Sequence, residues 1–272
     1  MKFKGFSVGT FAVALCFTAS LAYAGNIVIK GSTTVLPIAQ KVAEAYMKQH
    51  PDVKISISGG GSGNGIKALI DGSTDIADSS RFIKSKEVKL AVEKGRYPVP
   101  FAVAYDCIVP VVHSSNSVTD ITMAQLRDLY MGKIKNWKEL DGPDRKIVVI
   151  SRDTSSGTYE VWSKKVMKKE RVFPGALLQA SNGAIVQAVA NNKNAIGYIG
   201  LGYMNDNVKP LMVDRIKGSL ETTLNGTYPI SRPLYMFTSG WPKGDTLKFI
   251  NFVVHPQKGQ KYVRDAGFVP LY

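Results

Sequence analysis

The sequence predicts an α/β protein of two lobes hinged about a cleft, and three observations carry that expectation. Strand and helix patterns alternate as βαβαβ from residue 26 onward, long apolar segments recur at 101–113 and 228–239, and helical patterns close the chain behind the second of them. The alternation implies a largely parallel sheet. Two crossings with a C-terminal return imply lobes joined twice.

The first 24 residues, MKFKGFSVGTFAVALCFTASLAYA, have the layout of an export signal, with Lys2 and Lys4 ahead of an apolar run and Ala22-Tyr23-Ala24 as the cleavage site. A membrane anchor is the competing reading, but Gly9, Thr10, Thr18 and Ser20 interrupt the run. Leu15 stands before Cys16, where a lipid-modified signal needs a small residue. The expected product is a soluble periplasmic monomer of 248 residues beginning near Gly25. Cys107 is then its only cysteine, which excludes an internal disulfide in an oxidising compartment.

From Gly25, NIVIKG reads as a buried strand. Val35 to His50 carries Leu36, Ala39, Val42, Ala43, Tyr46 and Met47 at helical spacing, and Pro51 ends the helix. VKISIS alternates as a strand, GGGSGNG is a loop, IKALIDG a brief helix, DIADSS a strand, and Lys86 to Lys94 a helix. FAVAYDCIVPVVH is long for a single strand and reads as the passage into a second lobe. There, Met123 to Met131, Thr158 to Lys169 and Gly183 to Asn191 are helical, and IVVIS and AIGYIG are strands. YPISRPLYMFTS carries the chain back, and Thr246 to Val254 and Gln257 to Ala266 close it. The expected division is lobe I from 25–103 plus 233–272 and lobe II from 104–232.

The formal charge of +14 falls to +12 without Lys2 and Lys4. The lysines are scattered, with no interleaved aromatics, so no nucleic-acid partner is expected. A positive field of this kind steers small anions toward a cleft. His50, His113 and His255 lie far apart beside prolines or turns, so neither a metal nor another cofactor is expected.

Three strand-to-helix turns are rich in Ser, Thr and Gly. In GSTTVLP at 31–37, Thr33 and Thr34 lie where helix N–H groups are unpaired, although an ordinary helix cap is the plainer reading. In GGGSGNG at 59–65, glycines let the backbone approach a ligand and Ser62 adds a hydroxyl; a flexible connection reads equally well. This loop lacks the Lys-Ser/Thr ending of a nucleotide-binding loop and the spacing of a dinucleotide fingerprint. In SRDTSSGTYEVW at 151–162, Arg152 follows a strand while Ser156, Gly157 and Thr158 open a helix. Guanidinium, hydroxyls and free amides there suit one compact oxyanion. A surface pairing of Arg152 with Asp153 is the alternative. All three turns fall at strand C-terminal ends, where open α/β sheets bind ligands. An enzyme is not expected, because no histidine, lysine or carboxylate is spaced to activate Ser156.

With GSTTVLP, SGGGSGNGIKALIDGSTDIADSSR, SRDTSSGTYEVW and SNGAIVQAVANNKNAIGYIG in this order, the chain resembles the periplasmic phosphate-binding proteins of ABC phosphate transporters from about Asn26 to Tyr272. The resemblance implies a type II, Venus-flytrap fold that closes on inorganic phosphate and delivers it to the transporter's permease. It also implies contacts from Thr33, Thr34, Ser62, Ser156, Gly157 and Thr158, with Arg152 as the single cation. One position departs from the pattern: Ser80, followed by Arg81, stands where longer members place an aspartate that accepts the ligand's proton. Serine both donates and accepts, so it repels sulfate less than a carboxylate does. Asp78 and Asp106 are further candidates for that acceptor, each also readable as a strand-end interaction, and Arg81 either touches phosphate or braces Asp78. A carrier of sulfate or arsenate, or an extracellular sensing or adhesion protein on the same fold, is the alternative function.

Overall fold

The computed structural model describes residues 25–272, so the expected export signal lies outside the described residues. In lobe I the chain runs β1 (Asn26–Gly31), α1 (Leu36–Gln49), β2 (Lys54–Ser58), α2 (Ser62–Asp71), β3 (Ile76–Ser79) and α3 (Ser85–Glu93). β4 (Pro98–His113) then crosses into lobe II. There follow β5 (Asp120–Ile121), α4 (Met123–Tyr130), β6 (Val148–Arg152), α5 (Gly157–Lys165), β7 (Leu177–Gln179), α6 (Asn182–Ala190), β8 (Ala195–Gly200), β9 (Val208–Pro210), β10 (Met212–Val213) and α7 (Leu220–Leu224). β11 (Ser231–Ser239) returns the chain, and α8 (Gly244–Val254) and α9 (Gly259–Asp265) finish it.

One curled sheet runs β2-β1-β3-β11-β4-β8-β6-β7, with β9 also on β4. β4 is 16 residues long, a reach of roughly 50 Å at about 3.3 Å per residue. Its residues 98–107 pair with β11 and its residues 108–112 pair with β8, so one strand serves both lobes. The sheet is mixed where the sequence predicts it largely parallel. β1, β2 and β3 are parallel to one another, as are β6, β7 and β8. The crossing strands are antiparallel to each other and to their neighbours, because β11 carries the chain back along the path of β4.

Alternation along the strands sorts the core. In β3, Ile76 joins Val42, Tyr46, Phe249 and Val263 on the face under α1, α8 and α9, whereas Ala77 joins Ile66, Leu69 and Phe237 under α2 and α3. A separate apolar cluster, running from Cys107 to Ile230 and built around Trp137 and Trp162, fills lobe II. The helix expected to reach Lys169 stops at Lys165; Lys168 and Lys169 have φ of 50° and 71°, which no helix accommodates. The short β5–β10 pair, β7, β9 and α7 are too brief to register as periodicity. Among the described residues no helix is long and apolar enough to cross a membrane.

Candidate functional site

The cleft is built from turns at strand C-terminal ends. Gly31 ends β1 at φ 140°, and a Cβ there would lie 2.2 Å from the Asp78 carbonyl oxygen. Only glycine allows that approach. The next residue, Ser32, caps the turn, its Oγ accepting from the amides of Thr34 (3.1 Å) and Val35 (3.3 Å). With capping done by Ser32, the Thr34 hydroxyl is left to face the other lobe. After β2, Gly60 and Gly61 have φ of 116° and 100° and lead into Ser62, the first residue of α2. Ser62 is fully buried; its Oγ accepts from the Ser80 amide at 3.0 Å and lies 3.3 Å from the Ser80 Oγ.

In lobe II, β6 delivers Arg152 into the interior at 1% exposure. Its Nε donates to the Gln179 carbonyl (3.0 Å) and its Nη2 to the Ala180 carbonyl (2.9 Å), while Nη1 is buried without a protein partner among the described residues. Asp153 lies 3.9 Å from Nη2 and instead accepts from the Ser155 amide and hydroxyl, so carbonyls hold Arg152 more closely than Asp153 does. Burial lowers the guanidinium's pKa from its ordinary value, and Asp153 opposes that shift. Behind it, Tyr198 stacks on Trp162 at 4.1 Å and accepts from the Arg152 amide. Burial pushes the Tyr198 phenol up to about 12. Ser156 caps α5 by accepting from the Tyr159 amide, which leaves its own proton to donate.

The lobes meet directly. Thr34 Oγ1 and Thr158 Oγ1 are 3.0 Å apart, the Ser155 carbonyl accepts from the Gly63 amide at 2.9 Å, and the Ser155 Oγ, whose proton goes to Asp153, lies 3.2 Å from the Gly60 carbonyl oxygen. A Cβ on Gly157 would lie 2.4 Å from Ser62 Oγ and 2.7 Å from Ser80 Oγ. Thr34, Ser62, Ser80, Gly157 and Thr158 therefore come together from both lobes. Thr33 sits at the margin, its hydroxyl 3.4 Å from Asn182 Nδ2 and its carbonyl bonded by the Tyr203 hydroxyl.

The structure corrects two expectations. Arg152 is not the one cation of the cleft: Arg232, 5% exposed on β11, donates from Nη2 to Thr158 Oγ1 (3.0 Å) and Thr34 Oγ1 (3.4 Å) and from Nη1 to the Ser80 carbonyl (3.2 Å). Arg81 neither enters the site nor braces Asp78. Its guanidinium holds Glu87 through two bonds of 2.8 and 2.7 Å and pairs with Glu160 at 2.9 Å. The two carboxylates differ. Asp106 Oδ2 accepts from Arg232 Nη2 (2.8 Å) and Nε (3.1 Å), and Oδ1 accepts from the Leu201 amide (2.8 Å). Burial pushes its pKa up while Arg232 pulls it down. Asp78 is buried with Oδ1 unpartnered, and desolvation raises its pKa well above the ordinary carboxylate value.

Two residues of this cluster, Arg232 and Asn182, carry no signal in the turns read from the sequence. Arg232 lies inside an apolar strand pattern. Asn182 lies in SNGAIVQ, where Ser181 is the helix cap and Asn182, fully buried, donates from Nδ2 to Thr34 Oγ1 at 3.0 Å.

A family model described as "PBP superfamily domain" matches residues 18–257. A curated relative from Staphylococcus epidermidis, named phosphate-binding protein PstS, is 36% identical over 254 residues, covering 88% of this chain and 77% of its own. The chain belongs to the PstS family of the PBP superfamily. Another PstS, from Bacillus subtilis, is 31% identical over 248 residues, covering 91% of this chain and 81% of its own. Among solved structures, a Clostridium perfringens protein assigned as a phosphate ABC transporter substrate-binding protein, with bound phosphate, has 35% identity and a TM-score of 0.85 over 91% of this chain and 100% of its own. An ABC-type phosphate transport receptor from Vibrio cholerae has 32% identity and a TM-score of 0.74 over 89% and 99%. The PstS-family member described here accordingly has the two-lobe type II periplasmic binding protein fold that its sequence predicts.

Proposed function

We propose that this chain binds inorganic phosphate between its lobes and delivers it to the permease of an ABC transporter for uptake. The observation that carries the reading is the buried Arg152 guanidinium, whose Nη1 has no protein partner among the described residues, within a cleft of hydroxyls and helix N-termini contributed by both lobes. A desolvated dianion is tolerated only when its oxygens are filled by donors, and charge-assisted bonds contribute about 1.5–3 kcal/mol each. Arg152, the hydroxyls of Ser62 and Ser156, the one outward proton of the Thr34–Thr158 pair, and the amides opening α2 and α5 supply such donors around a tetrahedral ion. Ser80 adds a hydroxyl able to accept as well as donate. Thr33 offers its amide at the margin, and Gly157, with no side chain, lets the backbone come close.

The division into 25–103 plus 233–272 and 104–232 is supported by the apolar clusters, since those of lobe I and that of lobe II part close to these bounds, between Ala104 and Cys107 and between Ile230 and Leu234. Closure of these lobes as a monomer, outside the cytoplasm after cleavage behind Ala24, presents the loaded form to the permease. The relatives are named as phosphate-binding and transporter substrate-binding proteins, which supports binding without turnover.

Titration calorimetry with phosphate at micromolar protein tests the proposal. One-to-one binding is expected, and no heat with no change in intrinsic fluorescence overturns it. Arsenate is expected to compete fully. Sulfate competes measurably if Ser80, rather than a carboxylate, meets the ligand's proton.

A further inference from the structure

The hydroxyl pair Thr34–Thr158 is surrounded by donors, and counting its hydrogen-bond capacity fixes what it offers a ligand. Two hydroxyls hold two protons and four lone pairs. The 3.0 Å contact between them consumes one of each. Asn182 Nδ2 fills a second lone pair, on Thr34 at 3.0 Å, and Arg232 Nη2 fills a third, on Thr158 at 3.0 Å, while leaning on Thr34 at 3.4 Å. One proton is left pointing outward, and the remaining lone pair is already faced by the same Nη2.

Neither donor is free to turn round. The Gly200 amide, which can only donate, lies 3.2 Å from Asn182 Oδ1 and sets the side-chain amide so that Nδ2 faces the threonines. The Arg232 fork is held by Asp106 Oδ2 at 2.8 and 3.1 Å and by the Ser80 carbonyl at 3.2 Å. Arg232 sits on one crossing strand and Asp106 on the other, directly paired with each other, so the fork is held within the ladder that joins the lobes.

We propose that Asn182 and Arg232 are positioning residues that lock the Thr34–Thr158 pair as a hydrogen-bond donor to the anion. This deepens the phosphate-binding reading and rests on it. Without the two donors, each hydroxyl rotates between donor and acceptor states, and a bound oxyanion then competes with that freedom. The device selects for an acceptor-rich ligand at a point where hydroxyls alone would serve either polarity.

The test is a set of phosphate titrations on the whole protein. Asn182→Asp keeps the bond from Gly200 but exchanges the Nδ2 donor for an acceptor that also carries negative charge, and about 100-fold weaker binding is expected from the two effects together. Asn182→Ala is expected to cost about tenfold, and Arg232→Lys, which retains charge but loses the fork, tenfold or more. A double-mutant cycle separates positioning from general damage. In a Thr34→Val background, Asn182→Ala should cost less than twofold, because the hydroxyl it orients is gone. In a Thr158→Val background, the cost of Arg232→Lys should shrink likewise. Thermal unfolding of each apo variant identifies misfolded ones, and the Asn182 and Arg232 arms are read separately so that either suffices. Parent-like affinity in both Asn182→Ala and Asn182→Asp, or penalties that add fully in the valine backgrounds, overturns the inference. Failure of the parent itself to bind phosphate overturns the underlying reading instead.

Discussion

Arg81 in lobe I and Glu160 on the first turn of α5 in lobe II form an ion pair across the cleft, Nε to Oε1 at 2.9 Å, and Lys84 reaches the other Glu160 oxygen at 2.6 Å. Arg81 is anchored on its own side by Glu87, so only Glu160 must arrive when the lobes close. A partly buried pair of this kind is worth about 1–2 kcal/mol. Glu160→Gln is expected to speed phosphate release about 5- to 30-fold in stopped-flow measurements. Raising the salt concentration should narrow the gap between parent and variant. Equal release rates at low salt would remove the latch.

Gly157 meets the opposite lobe with no room for a methyl group, since its Cβ would fall 2.4 Å from Ser62 Oγ. That clash exists only between lobes. Gly157→Ala should therefore leave apo thermal unfolding nearly unchanged while abolishing the upward shift that phosphate gives the parent. Loss of apo stability by several degrees would place the damage inside lobe II instead.

Arg152 serves two carbonyls as well as the proposed ligand. Arg152→Met removes the charge and leaves the Gln179 and Ala180 carbonyls without their donor, at about 1–3 kcal/mol for each unsatisfied group. Arg152→Lys keeps the charge and loses the planar fork. Both should weaken phosphate at least 100-fold by calorimetry, with only the methionine variant clearly destabilised in urea.

Asp78 predicts a pH dependence of stability. Its folded pKa lies above the unfolded value, so the folded state keeps a proton that the unfolded chain has released. The contribution is fully present below about pH 4 and falls as pH rises toward the folded pKa, at most about 1.4 kcal/mol per pH unit. Urea unfolding at pH 4, 6 and 8 should show parent stability declining relative to Asp78→Asn. Parallel profiles would mean that Asp78 ionises in the folded protein.

Cys107 is fully buried and its thiol is pushed up to about 12, chiefly by desolvation. In a chain starting at Gly25 a disulfide-exchange reagent should find no reactive thiol under native conditions and one in denaturant. Rapid native labelling would reveal opening at the lobe crossing.

Much of this was legible in the sequence because it is local. The turns at 31–37, 59–65 and 152–158 each place glycines and hydroxyls within a few residues of a strand end, and local geometry alone turns them toward the cleft. The crossing strands also announced themselves, through apolar runs longer than one lobe requires. What escaped was set by pairing between distant segments. Arg232 looks like any charge in a strand until β11 lies beside β4 and Asp106 turns it onto the threonines. Asn182 is indistinguishable from a helix-cap neighbour until lobe II meets Thr34. Arg81, adjacent to Ser80, points away because Glu87 and Glu160 lie on α3 and α5.

The two links between the halves are neighbouring ladder strands, hydrogen-bonded to each other, rather than slack loops. Such a joint permits twisting about one line and resists sliding or splaying. The two jaws therefore explore something close to a single angular coordinate, and their facing surfaces return in register on every swing. An ion as small as an oxyanion offers few atoms with which to organise a loosely tethered pair of bodies; this backbone does the organising before the ion arrives.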